Sequence, residues 1–157
     1  MQNTHRDNAE FENASGLAEF TLHDLPDLMP RHGGSHIMMT LRSHDQYNTT
    51  IYGLEDRYRG VKGNRRVVFM NAEEMAERGW KTGHPVDLIG HWKGQERRSD
   101  GWLLVPYAIP KGNLASYFPE ANVLVPLDST AAVSNTPTSK WIEVSFVEDA
   151  AASSEEE

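Results

Sequence analysis

Nine consecutive side chains from Arg42 to Thr50 can each donate or accept a hydrogen bond: Arg42, Ser43, His44, Asp45, Gln46, Tyr47, Asn48, Thr49 and Thr50. They follow four residues of apolar or β-friendly character, Met38–Leu41, and no Gly or Pro interrupts them before Gly53. Turn-forming loops lean on Gly, Pro, Asn, Asp and Ser; this segment is built for more contacts than a turn needs. A second polar segment, "FPEANVLVPLDSTAAVSNTPTSK", carries Asn122, Asp128, Ser129, Ser134, Asn135, Thr136, Thr138 and Lys140. Asn and Gln offer donor and acceptor together to the edge of a planar ring, Ser and Thr suit phosphate oxygens, and Arg42 and Lys140 supply positive charge. The chemistry that fits is the holding of a large, many-armed polar ligand such as a pterin or guanine joined by pyrophosphate. Residues of the same types also make plain surface loops closed by Asx and Ser/Thr turns, and the sequence leaves that reading open.

Other chemistries find less support. His32 and His36 are four apart with His44 close by, but Gly33-Gly34 between them argues against the helix that would align them, and no Cys or acid completes a ligand set. No metal site is expected, and His84 and His91, in or beside a strand, read as structural or exposed. Ser43 and His44 are adjacent without a G-x-S-x-G elbow, so no catalytic residue is assigned. Neither G-x-x-x-x-G-K-[ST] nor G-x-G-x-x-G occurs. The segment "RYRGVKGNRR", 57–66, holds Arg57, Arg59, Lys62, Arg65 and Arg66 and no acid. It is either a solvated basic loop or an anion contact.

The elements that must position these residues read as mainly β. Strands are expected at 36–42, 65–71, 84–92, 102–110 and 140–147. In the last, Ile142, Val144 and Phe146 alternate with Trp141, Glu143 and Ser145. Pro106 marks its strand as an edge or a bulge. "NAEEMAERGW", 71–80, predicts a short helix, with Asn71 as N-cap, Glu74 completing a capping box and Gly79 ending it. Residues 93–101 read as a polar hairpin loop, and a single helical turn is expected near Leu114–Phe118. A β-barrel of five to seven strands with one or two short helices and long loops follows. The boundaries are a flexible lead-in at 1–15, one domain at 16–147 and a disordered acidic tail at 148–157.

The chain has 157 residues and a net charge of −8, five units of which fall in that tail. Such a balance disfavours general nucleic-acid binding. Without cysteine there is no disulfide framework, thiolate metal site or thiol nucleophile. No stretch of 18 apolar residues exists to cross a membrane, and the polar N-terminus lacks a secretory h-region. A cytoplasmic location is expected.

Three blocks, in order, are similar to a known family. "MMTLRSHDQYNTTIYG" resembles a strand-then-loop opening in which Thr-x-Arg precedes Gln-x-(His/Asn)-Thr. "VVFMNAEEMAERGWKTGHPVDLIG" looks like its strand–helix–turn–strand block. "IPKGNLASYFPEANVLVPLDSTAAVSNTPTSKWIEV" looks like its closing block, with Asn-x-Leu before Pro-x-x-Lys; "ASGLAEF", 14–20, is similar to its lead-in. The family is the C-terminal molybdopterin-dinucleotide-binding domain of the molybdopterin oxidoreductases, and the likeness is greatest to formate dehydrogenase-like large subunits. The resemblance implies a double-psi β-barrel that closes over bis-(molybdopterin guanine dinucleotide), held jointly with upstream domains that carry the metal ligand and the iron–sulfur cysteines. Matched residue by residue, it implies cofactor contacts from Arg42, Ser43, His44, Gln46, Asn48, Thr49, Tyr117, Asn122, Asn135 and Lys140. The sequence departs from the pattern at Thr82-Gly83-His84, which replaces a Gly flanked by acids, and at Asn48, often His in relatives. On this reading the chain is not catalytically complete alone; it is a domain or separate piece of a larger oxidoreductase. The other class left open is a β-barrel module that binds a protein partner and no cofactor.

Overall fold

The computed structural model describes residues 3–22, 24, 32–47 and 52–147. Asn48, Thr49 and the acidic tail lie outside them. The chain divides into two units, residues 1–30 and 31–157. In the first, whose residues 1–15 are expected from the sequence to be a flexible lead-in, the described residues include a short helix, α1 (Thr4–Asn8), whose N-cap Asn3 accepts from the Arg6 amide at 3.1 Å.

In the second unit, six strands close into a barrel: β1 (His36–Leu41), β2 (Val67–Asn71), β3 (Pro85–Trp92), β4 (Gln95–Tyr107), β5 (Asn113–Tyr117) and β6 (Ile142–Phe146). The spatial order is β1-β5-β2-β4-β3-β6. The β1–β5 and β2–β4 pairs are parallel and the other four antiparallel. Parallel neighbours cannot be joined by a tight turn. The chain therefore passes through helix α2 (Ala72–Glu77) and β3 between β2 and β4. Closure pairs every strand with two neighbours, although the first half of β4 extends past β2 and pairs with β3 alone. The expected mainly-β barrel with short helices and long loops is the architecture found.

Burial explains the strand patterns. Met38, Val68, Met70, Leu88, Leu104, Leu114, Ile142 and Val144 fill the main core with Trp102 and Phe146. The alternate residues of β2 and β5, Val67, Phe69, Ala115 and Tyr117, form a second cluster with Val61, which arrives from the short antiparallel bridge Asp56–Val61. Both faces of β2 are thus covered, which is why its sequence is a continuous apolar run rather than an alternation.

Three boundaries differ from the sequence expectation. Residues 114–117 are strand, not a helical turn; they pair with both β1 and β2. The helical turn comes next, as a 3₁₀ segment at Glu120–Leu124. The polar stretch at 95–101 is the first half of β4, because Lys93 and Gly94 make the turn with φ of 48° and 76°. Pairing with β3 ends at Leu103, so Pro106 meets only β2 and its missing N–H breaks no ladder on the other side. In α2, Asn71 Oδ1 caps the amides of Glu73 and Glu74 at 3.0 and 3.1 Å. Glu74 does not complete a capping box. Its carboxylate instead takes His36 Nε2 at 2.7 Å and the Gly112 amide at 3.0 Å, tying the helix to the start of β1.

The 3₁₀ segment lies against β3 at Gly90, where an added Cβ would stand 3.0 Å from the Leu124 carbonyl oxygen and 3.4 Å from Leu124 Cβ. The approach to the carbonyl oxygen is tighter than a Cβ ordinarily makes, so the 3₁₀ segment would have to give. Gly90→Ala is expected to lower stability by about 1–3 kcal/mol, read as a lower urea midpoint at unchanged m-value.

Candidate functional site

Strand register places both polar segments at one end of the barrel. Leu41 and Tyr117 are partners at the ends of parallel strands β1 and β5. Strand β6 runs opposite to β1, so its beginning, after Lys140, lies at the same end; β2 begins there too, since it is antiparallel to β5. The segments after Leu41 and Tyr117, and those before Val67 and Ile142, therefore share a rim. Backbone bonds join them: Phe118 N donates to Leu41 O at 2.9 Å, and Thr40 N to Ser139 O at 2.9 Å.

Beneath this rim sits a buried cation that the sequence reading took as part of a basic loop. Arg65 is 5% exposed. Its Nε donates to Glu120 Oε1 at 2.6 Å and its Nη2 to Glu120 Oε2 at 3.2 Å, a two-pronged pair. Nη1 donates to Ser43 Oγ at 2.5 Å, and Nη2 also to Gln46 Oε1 and the Phe118 carbonyl, each at 3.1 Å. The guanidinium lies 3.6 Å from the Tyr52 ring centroid and 4.7 Å from that of Tyr117. Tyr52 OH closes the circuit by donating to Glu120 Oε1 at 3.1 Å. Gln46 Nε2 donates to Phe118 O at 3.0 Å, and its Oε1 accepts from the Ser43 amide at 3.2 Å. One planar cation with five donors thus fixes the 42–47 loop to the 118–120 segment.

A second buried charge stands beside it. Asp56, 1% exposed, accepts Tyr117 OH at 2.8 Å and Arg59 Nη1 at 2.6 Å. Burial works to raise its pKa, but the bonds from Arg59 and Tyr117 outweigh it and hold the carboxyl below its ordinary value. Burial, and then the bond to Asp56, push the Tyr117 phenol well above its own.

The matched residues divide accordingly. Ser43, Gln46 and Tyr117 are buried, with their polar atoms bonded inside the protein. Arg42 is exposed and His44 partly so, with its Nε2 3.0 Å from Asp45 Oδ2. Lys140 donates to the Thr40 carbonyl, and burial followed by the positive charge of Arg42 holds its ammonium below the ordinary lysine value. Arg42 and Lys140 are therefore electrostatic neighbours on the rim. Asn122 and Asn135 are exposed. Asn122 rides the 3₁₀ segment, which the Arg97 Nε–Val123 O bond of 2.7 Å and the contact at Gly90 hold against β4 and β3. Asn135 stands in a 129–138 loop closed by Thr138 N–Ser129 O at 3.0 Å, and its φ of 52° is a left-handed conformation that Asn tolerates. The structure sets Arg42 beside Lys140 and, on its other side, in one depression with His44; Asn122 and Asn135 stand on other elements of the same end.

Sequence reasoning named Arg65 only as one cation of the basic segment and missed Glu120, Tyr52 and Asp56. The available signal was an arginine two residues before an apolar strand, where a solvated side chain has little room. Among the described residues, no group of three His, Asp or Glu is placed to hold a metal ion, and no helix is long and apolar enough to cross a membrane.

Comparison with known proteins adds context. No family model matches the chain. It is 53% identical over 142 residues to an "uncharacterized oxidoreductase" of Mycobacterium tuberculosis (strain ATCC 25618 / H37Rv), a match covering 87% of this chain and 18% of that protein. The same figures hold for an "uncharacterized oxidoreductase" of Mycobacterium bovis. It is 46% identical over 111 residues to protein YdeP of Escherichia coli (strain K12), covering 69% of this chain and 15% of that one. The chain spans less than a fifth of the length of these relatives.

Two outcomes follow from the buried charges. Arg65→Met strands Glu120 and leaves Ser43, Gln46 and Phe118 short of a donor; an unfolding titration should show a loss of about 3–5 kcal/mol. Asp56 is depressed in the native state, so its contribution is complete above the unfolded carboxylate value of about 4 and is lost as pH falls through the lower native value. Stability measured from pH 6 down to pH 2 should fall through that window. It should fall less steeply in Tyr117→Phe, which removes one of the bonds that depress Asp56.

Proposed function

We propose that this chain is a molybdopterin guanine dinucleotide-binding domain of a larger, formate dehydrogenase-like oxidoreductase, held against the domains that complete the enzyme. The observation that carries the reading is the convergence of the two polar segments on one rim of a closed barrel, with Arg42 and Lys140 as adjacent cations. The oxidoreductase names of the mycobacterial relatives, and the small fraction of their length that this chain matches, support it.

The donor set suits a pyrophosphate-linked ligand. Arg42 can meet phosphate oxygens through its planar fork and Lys140 as a point charge. His44 and the amides of the 42–47 loop add hydrogen-bonding capacity, while Asn122 and Asn135 offer amide groups to the edge of a ring. Ser43, Gln46 and Tyr117 act from below: they fix the backbone of the loop, so that little conformational freedom is lost on binding. Asn48 and Thr49 complete the set that the resemblance implies. The bound metal and pterin supply the electron transfer; this chain binds, orients and covers.

A second reading, a barrel that docks a protein without a cofactor, draws on Leu127 and Val133, which are 100% and 98% exposed in the closing segment. Capture of the same protein partner with and without cofactor would favour it.

The dinucleotide reading is tested by calorimetric titration with molybdopterin guanine dinucleotide. Arg42→Ala/Lys140→Ala should weaken binding by tenfold or more, on the order expected for losing charged hydrogen bonds, and should flatten the dependence on salt. Unchanged affinity in the double variant would contradict the assignment of these cations.

A further inference from the structure

The basic segment 57–66 remains to be placed, and the 56–61 bridge gives it a position. Beside the 42–47 loop lies an open depression of about 440 Å³, lined on one side by Arg42, His44 and Tyr47 and on the other by Tyr58 and Arg59. It adjoins a second, of about 370 Å³, which shares His44 and Asp45 and reaches Arg57. Tyr47 and Tyr58 are 78% and 73% exposed, so two aromatic rings line one hollow and are not spent on the core.

The wall carrying Tyr58 is rigidly held. Asp56 and Val61 exchange backbone bonds of 2.8 and 3.1 Å, and Asp56 Oδ1 caps the amides of Tyr58 and Arg59 at 3.1 and 3.3 Å. Asp56 is in turn bound to Tyr117 in the barrel wall. His44 meets the Tyr58 ring edge-on with centroids 4.4 Å apart, and Arg57 lies 5.6 Å from its centre. Arg59 donates through Nη1 to Asp56 and to the Arg42 carbonyl, while its Nε is buried without a hydrogen-bond partner. An exposed ring on a fixed hairpin, with cationic groups around it, is the combination that stacks a base and attracts its phosphates. Of the carboxylates nearby, Asp45 faces His44, Asp56 is enclosed by its own partners, and Glu55 lines the second depression but not the one that holds Tyr58 and Arg59.

We propose that the 56–61 hairpin is the second wall of the ligand site, and that Tyr58 stacks the purine of a nucleoside diphosphate whose phosphates lie toward Arg42 and Arg59. This rests on the dinucleotide reading and deepens it, by assigning the nucleotide end of the ligand to residues outside the matched motifs.

The test is titration of the full chain with GDP and, separately, with inorganic pyrophosphate, followed by amide chemical shifts. GDP should shift residues 42–47 and 56–61 together. Tyr58→Ala should weaken GDP by about 5- to 150-fold, the range for losing one stacked base, while leaving pyrophosphate binding within twofold; Tyr58→Phe should bind GDP as the wild type does. Tyr58 is exposed, and an unchanged urea midpoint would show that the variant folds. Equal GDP affinity in Tyr58→Ala and wild type, or no GDP binding by the wild type, overturns the hairpin assignment. The molybdopterin guanine dinucleotide titration then decides the broader reading separately, because retained binding sensitive to Arg42 and Lys140 would leave it standing.

Discussion

The rim of this barrel depends on the Arg65–Glu120 ion pair. Two full charges removed from water are costly unless every remaining donor and acceptor is met. Here Ser43, Gln46, the Phe118 carbonyl and two tyrosine rings meet them. The consequence is geometric more than energetic. A guanidinium has one plane and fixed donor directions, so groups from three separate stretches of chain must come to it. The loop after β1, the segment after β5 and the approach to β2 are locked in one arrangement.

This constraint explains why polar side chains crowd the first loop. Ser43 and Gln46 face inward and hold the loop, while Arg42 and Tyr47 are left toward solvent and His44 packs against Tyr58. Asp56 repeats the device one step away, joining the hairpin to the barrel through Tyr117. The two buried charges have opposite signs and separate partners, and between them they define both sides of the depression that Arg42 and Tyr58 share. Rigid support of this kind is what a binding rim needs if affinity is not to be spent on ordering it.

Much of the architecture was legible because burial leaves periodic traces. The alternation of Ile142, Val144 and Phe146 and the continuous run at Val67–Met70 both mark strands, and Asn71 marks the start of α2. The errors came where polar composition hid extended structure. Arg97 and Arg98 sit in the outer half of β4, where a two-residue turn at Lys93-Gly94 lets charged residues pair with β3 in solvent. At Leu114–Phe118 local propensity gave way to pairing with strands distant in sequence. For the site, residue types were legible but their direction was not. Nothing local distinguishes Gln46, turned inward to Arg65, from Arg42, turned out. The partner that decides this, Arg65, is 19 residues away, and Glu120 another 55 beyond it.

The most direct test of the shared rim is hydrogen–deuterium exchange of the chain with and without molybdopterin guanine dinucleotide. The account predicts slower exchange in both 42–47 and 129–140 on addition of the ligand, with the opposite end, around α2 and residues 108–112, unchanged. Protection confined to that opposite end, or to one of the two segments alone, would contradict it.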